Sequence, residues 1–245
     1  FVHPDVRRML MDAKAFTEGM RALCLWGALL VDLTHKAQTE EERQMADDLV
    51  ALLDARGVEG PVVVCGLSMG GYVTMAMLRR HPARISRLVL ADTKASADTE
   101  EAAANRERIS AEGEASGSTA GLADAMVPNL LGGTTRATRP AVVTTVRRWI
   151  GAQPAPAVAW AQRAMASRPD SFTDLSAFGG PVLVVVGAED TISPMADAEA
   201  MAEAASAGGP ATSIAEIAGD GLARGGGDGA GAALVCSGPS TRCTT

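Results

Sequence analysis

Apolar residues fall at helix-like spacings over the first 55 positions. Val6, Met9, Leu10, Ala13, Phe16, Met20, Leu23 and Leu30 follow one another in steps close to the helical period. Thr39-Glu40-Glu41-Glu42 has the form of a capping box, and the helix it opens carries Met45, Leu49, Val50, Leu52 and Leu53 before Gly57. The pattern then changes. Pro61-Val62-Val63-Val64-Cys65 is a short β-branched run without alternation, as in a strand buried on both faces. Gly66 to Gly71 reads as a turn and Tyr72 to Arg80 as a helix. Ile85 to Ala91 and Pro181 to Val186 are further strand-like runs, Met195 to Ala205 is helical, and Ser213 to Ile217 is a weak fourth strand. Strands alternating with helices predict an α/β fold with a parallel sheet of about four strands.

Residues 94–178 break this rhythm. They hold a polar helix-prone part (Thr99 to Glu114), a Gly/Ser part read as flexible (Gly113 to Gly121) and an amphipathic part (Ala141 to Ile150). So long a stretch without a strand is too long for a loop and predicts a helical insert. From Asp220 onward the chain is glycine-rich without periodicity, which predicts a disordered tail. The expected organisation is therefore a helical extension (1–47), an α/β domain (48–219) with a helical cap (94–178), and a tail (220–245).

Composition narrows the function classes. With 47% hydrophobic and 21% charged residues the chain can build an ordinary core, but at 3% aromatic that core must be aliphatic. A net charge of −7 and isolated Arg pairs (Arg7-Arg8, Arg79-Arg80, Arg147-Arg148) argue against a nucleic-acid partner. Cys24, Cys65, Cys236 and Cys243 have neither zinc nor disulfide-framework spacing, so a reducing, cytoplasmic setting is expected, with no metal and no cofactor. Ala22 to Leu33 is apolar except for Asp32 but shorter than the ~20 residues that span a bilayer, so no membrane segment is expected. The chain starts at Phe1, and its natural N-terminus is expected upstream.

One motif carries chemistry. Gly66-Leu67-Ser68-Met69-Gly70-Gly71 follows a Val-rich strand and opens a helix, the context a G-x-S-x-G nucleophile turn requires. A tight strand-to-helix turn lifts the Ser68 Oγ above the sheet edge. Side chains at Gly66 and Gly70 are expected to collide with neighbouring backbone. The first N–H groups of the helix, that of Met69 foremost, point where an oxyanion would develop.

Val62 to Pro82, Leu88 to Thr93 and Val182 to Pro194 resemble the α/β-hydrolase superfamily, closest to its small carboxylesterase, enol-lactonase and haloperoxidase-like branch. The resemblance covers about residues 48–219. It implies a serine hydrolase of small carboxylic esters or lactones, with Ser68 as nucleophile and the insert as substrate cap. It also implies that Asp190, in Gly187-Ala188-Glu189-Asp190-Thr191-Ile192-Ser193-Pro194, is the acid that orients a catalytic histidine. Asp92, after the second strand, is a fallback acid and more simply a turn residue.

Two family elements are missing. The loop that holds the family's histidine reads Ile217-Ala218-Gly219-Asp220-Gly221-Leu222, and no histidine follows His81. His81 belongs to a structural His-Pro at the far end of the helix after Ser68, and His3 and His35 lie in the N-terminal helices, so no catalytic histidine is identified. The early strands and their oxyanion loop are also absent from residues 1–47. That segment instead resembles a helical stretch of the C-terminal domain of acyl-CoA dehydrogenases, through His3 to Met11 and Thr17 to Leu23, without implying flavin binding. Gly229-Ala230-Gly231 lacks the strand and helix of a dinucleotide loop. Three readings follow: a hydrolase impaired for want of a base, a non-catalytic hydrolase-like binding protein, and a composite reading frame without function, joined near Ala46 to Leu49 and out of frame after about Gly219.

Overall fold

A computed structural model describes residues 41–209 and 212–217. The expectations for residues 1–40 and for the glycine-rich tail lie outside the described residues. Four strands, β1 (Val62–Leu67), β2 (Ile85–Ala91), β3 (Val182–Gly187) and β4 (Thr212–Ile217), form one parallel sheet in the order β1-β2-β3-β4. Helix α1 (Glu41–Ala55) precedes β1, α2 (Met69–Arg80) links β1 to β2, and α9 (Met195–Gly208) links β3 to β4. The insert between β2 and β3 is all helical: α3 (Glu100–Ser116), α4 (Ala120–Leu130), α5 (Gly133–Thr138), α6 (Pro140–Gly151), α7 (Ala155–Ser167) and α8 (Phe172–Ala177).

The main core lies on one face of the sheet. Leu88 and Leu90 of β2 and Val182, Val184 and Val186 of β3 alternate onto that face, where they meet Met75 and Met77 of α2, Leu175 of α8 and Met201 of α9. All of these side chains are essentially inaccessible. Each contributes ~1.5–3 kcal/mol by leaving water. The low aromatic content thus shows as a Met, Leu, Val and Ala core.

The Gly/Ser part of the insert corrects the sequence expectation. Residues 113–116 continue α3 and residues 120 and 121 open α4, so only 117–119 form a turn. Gly117 adopts the left-handed conformation (φ 63°) that ends α3, and its N–H donates to the Gly113 carbonyl. The Thr119 hydroxyl then reaches the Ile150 and Gln153 carbonyls, both at 3.0 Å, tying the turn to the end of α6. A left-handed glycine makes a sharp stop, and glycine and serine content alone does not tell a sharp stop from a floppy loop.

α1 packs against α2 and α7. Asp47 of α1 receives two hydrogen bonds from Arg80 (2.9 and 2.6 Å), and the His81 ring lies 2.7 Å from the same carboxylate. Hydrogen bonds from Arg80 hold the Asp47 carboxyl below its ordinary range.

Among the described residues β1 pairs only with β2, and its Val63 (60% exposed), Cys65 and Leu67 (46%) face outward. A long apolar edge is a template for pairing with other chains. Val63 lies opposite Arg87 on β2. Val63→Glu should therefore gain a cross-strand ion pair and a charged edge. The expected result is weaker concentration-dependent light scattering on warming, with the melting temperature nearly unchanged. Equal scattering by both proteins would place the aggregating surface elsewhere.

Candidate active site

Ser68 stands between β1 and α2 with φ 51° and ψ −116°, a backbone conformation that non-glycine residues rarely adopt. Hydrogen bonds on both sides of it hold the strain. Its N–H donates to the Ala91 carbonyl at the end of β2 (2.8 Å). Its carbonyl accepts from the Thr93 hydroxyl (2.8 Å) and from the Gly71 N–H (2.9 Å). The helix begins at Met69, three residues earlier than the sequence pattern suggested, because the turn is only one residue long. The Met69 N–H therefore sits in the first turn of α2, where helix geometry supplies no carbonyl partner.

The glycines divide differently from the expectation. A Cβ on Gly66 would lie 2.5 Å from the Gly70 carbonyl oxygen and 2.5 Å from the Thr74 hydroxyl. A Cβ on Gly71 would run into the Thr93 side chain. At Gly70 it would meet nothing within 4 Å, so the collision expected there does not occur. The close approach belongs to Gly71 because Thr93 must reach over α2 to bond the Ser68 carbonyl.

Asp190 follows β3. Its Oδ1 accepts from the Ile192 and Ser193 N–H groups (2.8 and 3.1 Å), and its Oδ2 accepts from the Ser193 hydroxyl (2.8 Å). One carboxylate oxygen thus folds the acid loop, while the other keeps acceptor capacity. Asp92 has a different task. It is buried, with φ 43°, and its Oδ1 accepts the Gly187 N–H (2.9 Å), pinning the end of β2 to the end of β3.

These groups meet. Ser68, Asp92 and Asp190 line one small cavity together with Glu189, Ile192 and Ser193 of the acid loop and Asn129, Leu130 and Gly132 of the insert. The insert therefore roofs the serine. Glu189 fastens that roof: its carboxylate accepts from the Thr134 N–H (2.9 Å) and from the Thr134 hydroxyl at the start of α5. Those two bonds, helped by Arg136, hold the Glu189 carboxyl below its usual range. Sequence reasoning missed Asn129, Leu130 and Gly132, which reach the cavity only through the packing of the insert, and Glu189, whose partner Thr134 lies in that insert.

His81 is not in the cavity. It caps the C-terminal end of α2, twelve residues and ~18 Å of helix from Ser68, and faces Asp47. Among the described residues no group of three or more His, Cys, Asp or Glu could hold a metal ion, and no helix is long and apolar enough to cross a membrane.

Comparison with known proteins agrees with this layout. A thermophilic esterase from Thermogutta terrifontis is 37% identical, with a TM-score of 0.71 over 76% of this chain and 67% of that one. The enol-lactonase from Burkholderia xenovorans LB400 shares the fold at 23% identity, with a TM-score of 0.65 over 75% of this chain and 66% of that one. A butyryl-CoA dehydrogenase from Syntrophomonas wolfei is 45% identical over 47 residues, which span 19% of this chain and only 8% of that protein. The family model described as serine aminopeptidase S33 matches residues 32–216, opening inside the segment read from sequence as a helical extension. With a strained serine turn on a parallel sheet, an acid loop beside it and a match over about three quarters of its length, the chain belongs to this α/β-hydrolase family.

Proposed function

We propose that this chain has the active-site frame of a serine hydrolase acting on small carboxylic esters or lactones, impaired for want of a base. The observation that carries the reading is the strained Ser68, which shares its cavity with Asp190 under the helical roof. Ser68 Oγ is the nucleophile and adds to the substrate carbonyl carbon. The Met69 N–H donates to the oxygen that gains the negative charge. Asp190 is the acid whose free acceptor capacity would hold the N–H of a base. The esterase and enol-lactonase names of the similar structures support the substrate class.

The hydroxyl proton needs an acceptor. No histidine follows His81 in this chain, and His81 is engaged at the other end of α2. In a well-studied serine protease, loss of one triad member lowers kcat about 10⁴- to 10⁶-fold. That same observation favours a second reading, a hydrolase-like protein that binds a ligand without turning it over. Ester hydrolysis separates the two. The purified chain should hydrolyse p-nitrophenyl butyrate slowly, free imidazole should raise the rate, and Ser68→Ala should abolish both the rate and the rescue. Identical background rates in the two proteins, with and without imidazole, would leave binding as the function.

A further inference from the structure

The cap is built from two separate helix pairs. α3 packs on α7, where the Ser110 hydroxyl donates to the Ala159 carbonyl (3.0 Å) and Arg163 bridges Glu107 and Glu114. α4 packs on α6 through its own small core, Val127 and Leu131 against Val142, Val143, Val146 and Ile150. Between the pairs runs a half-open groove of about 1040 Å³, mainly apolar, with Ile109, Leu122, Met126, Leu130, Val158 and Ile192 along it. Asn129, Leu130 and Ile192 line both this groove and the Ser68 cavity, so the two adjoin along a shared wall. The volume is at the upper end of the ~300–1,000 Å³ of ordinary ligand sites.

We infer that this groove is a binding site for the neutral alkyl chain of the substrate, extending from a carbonyl held at Ser68. The inference rests on the hydrolase reading for the position of that carbonyl. The charge on the rim decides the character of the tail. Arg108, the cation of the groove, already donates to Glu112 (2.6 Å) and to Asn105 (2.8 Å). An anionic tail would have to displace both, and Glu112 would repel it. The apolar positions along the groove are only half-buried, and Ile192 is exposed, so an alkyl chain removes from water surface that the protein itself leaves open.

Methyl ketones test this without chemistry, because they offer an ester-like carbonyl and an alkyl chain but no leaving group. From 2-pentanone to 2-nonanone the chain gains four methylenes. A fully buried methylene adds roughly fourfold in affinity and a half-covered one about twofold, so 2-nonanone should bind about 15- to 250-fold tighter by calorimetric titration. Ala125→Trp, at an exposed groove position, should remove at least about tenfold of the 2-nonanone affinity and leave 2-pentanone and the thermal melt unchanged. Ser68→Ala should keep the chain-length dependence. Equal affinity for the two ketones, or an Ala125→Trp variant that binds 2-nonanone like the parent, would overturn the inference. Chain-length-dependent binding without imidazole-rescued hydrolysis would uphold the groove and defeat the hydrolase reading alone.

Discussion

Arg168→Ala should lower the stability of this protein by about 3–5 kcal/mol, the cost of stranding one member of a buried ion pair. Arg168 ends α7 where the chain leaves the cap, and Asp98 lies where it enters. Their side chains are 3% and 1% exposed, with Nη2 2.8 Å from Oδ1. Arg168 also donates to the Met165 carbonyl (2.6 Å) and to the Ser96 carbonyl (3.0 Å), and its guanidinium stacks 4.0 Å over the Tyr72 ring of α2. One side chain therefore ties both roots of the cap to the helix that follows Ser68. Arg106 still pairs with the other Asp98 oxygen, which places the loss at the lower end of the range. For a chain of this size that is roughly 6–12 °C in melting temperature.

The same cluster predicts an acid limb. Burial works to raise the Asp98 pKa, but the guanidiniums of Arg168 and Arg106 paired with it overcome this and hold the carboxyl below its ordinary value. A depressed carboxyl contributes stability that is present above its unfolded pKa of ~3.9 and lost as the pH falls through the folded value. Melting temperatures measured from pH 6 down to pH 3 should fall more steeply for the parent than for Arg168→Ala. Parallel curves would show that Asp98 is not held by this pair.

Gly66→Ala is the second large effect, about 3 kcal/mol by overpacking. The new Cβ would lie 2.5 Å from the Gly70 carbonyl oxygen. That oxygen cannot swing away freely, because it accepts the Thr74 hydroxyl (2.8 Å) in the first turn of α2. Either the helix shifts or the strand does, and Ser68 sits between them. Gly70→Ala meets open space and gains the ~1 kcal/mol helix preference of alanine over glycine. The expected pattern is a lower melting temperature and loss of the imidazole-rescued p-nitrophenyl butyrate hydrolysis for Gly66→Ala, against an equal or higher melting temperature for Gly70→Ala. Equal behaviour of the two variants would contradict the geometry of the turn.

The order of residues along the chain already carries the parallel sheet, the serine turn and the loop that holds Asp190. Each is a local signal: an unbroken β-branched run for a strand covered by neighbours, glycines at fixed offsets around Ser68, and a strand leading into Asp190. It also determined that no histidine follows His81. The tertiary fold decides which glycine is crowded, since Gly71 is closed in by Thr93, more than twenty residues away, while Gly70 faces open space. It decided that Asp92 and Asp190 both reach the cavity beside Ser68, and that Asp92 there also pins two strand ends, a division of tasks that residue type cannot make. It decided the roof over Ser68 as well. Asn129, Leu130, Gly132 and Glu189 carry no pattern of their own, because a cap is positioned by contacts between helices far apart in sequence. The division of the insert into two helix pairs, and so the groove between them, comes from packing of the same kind.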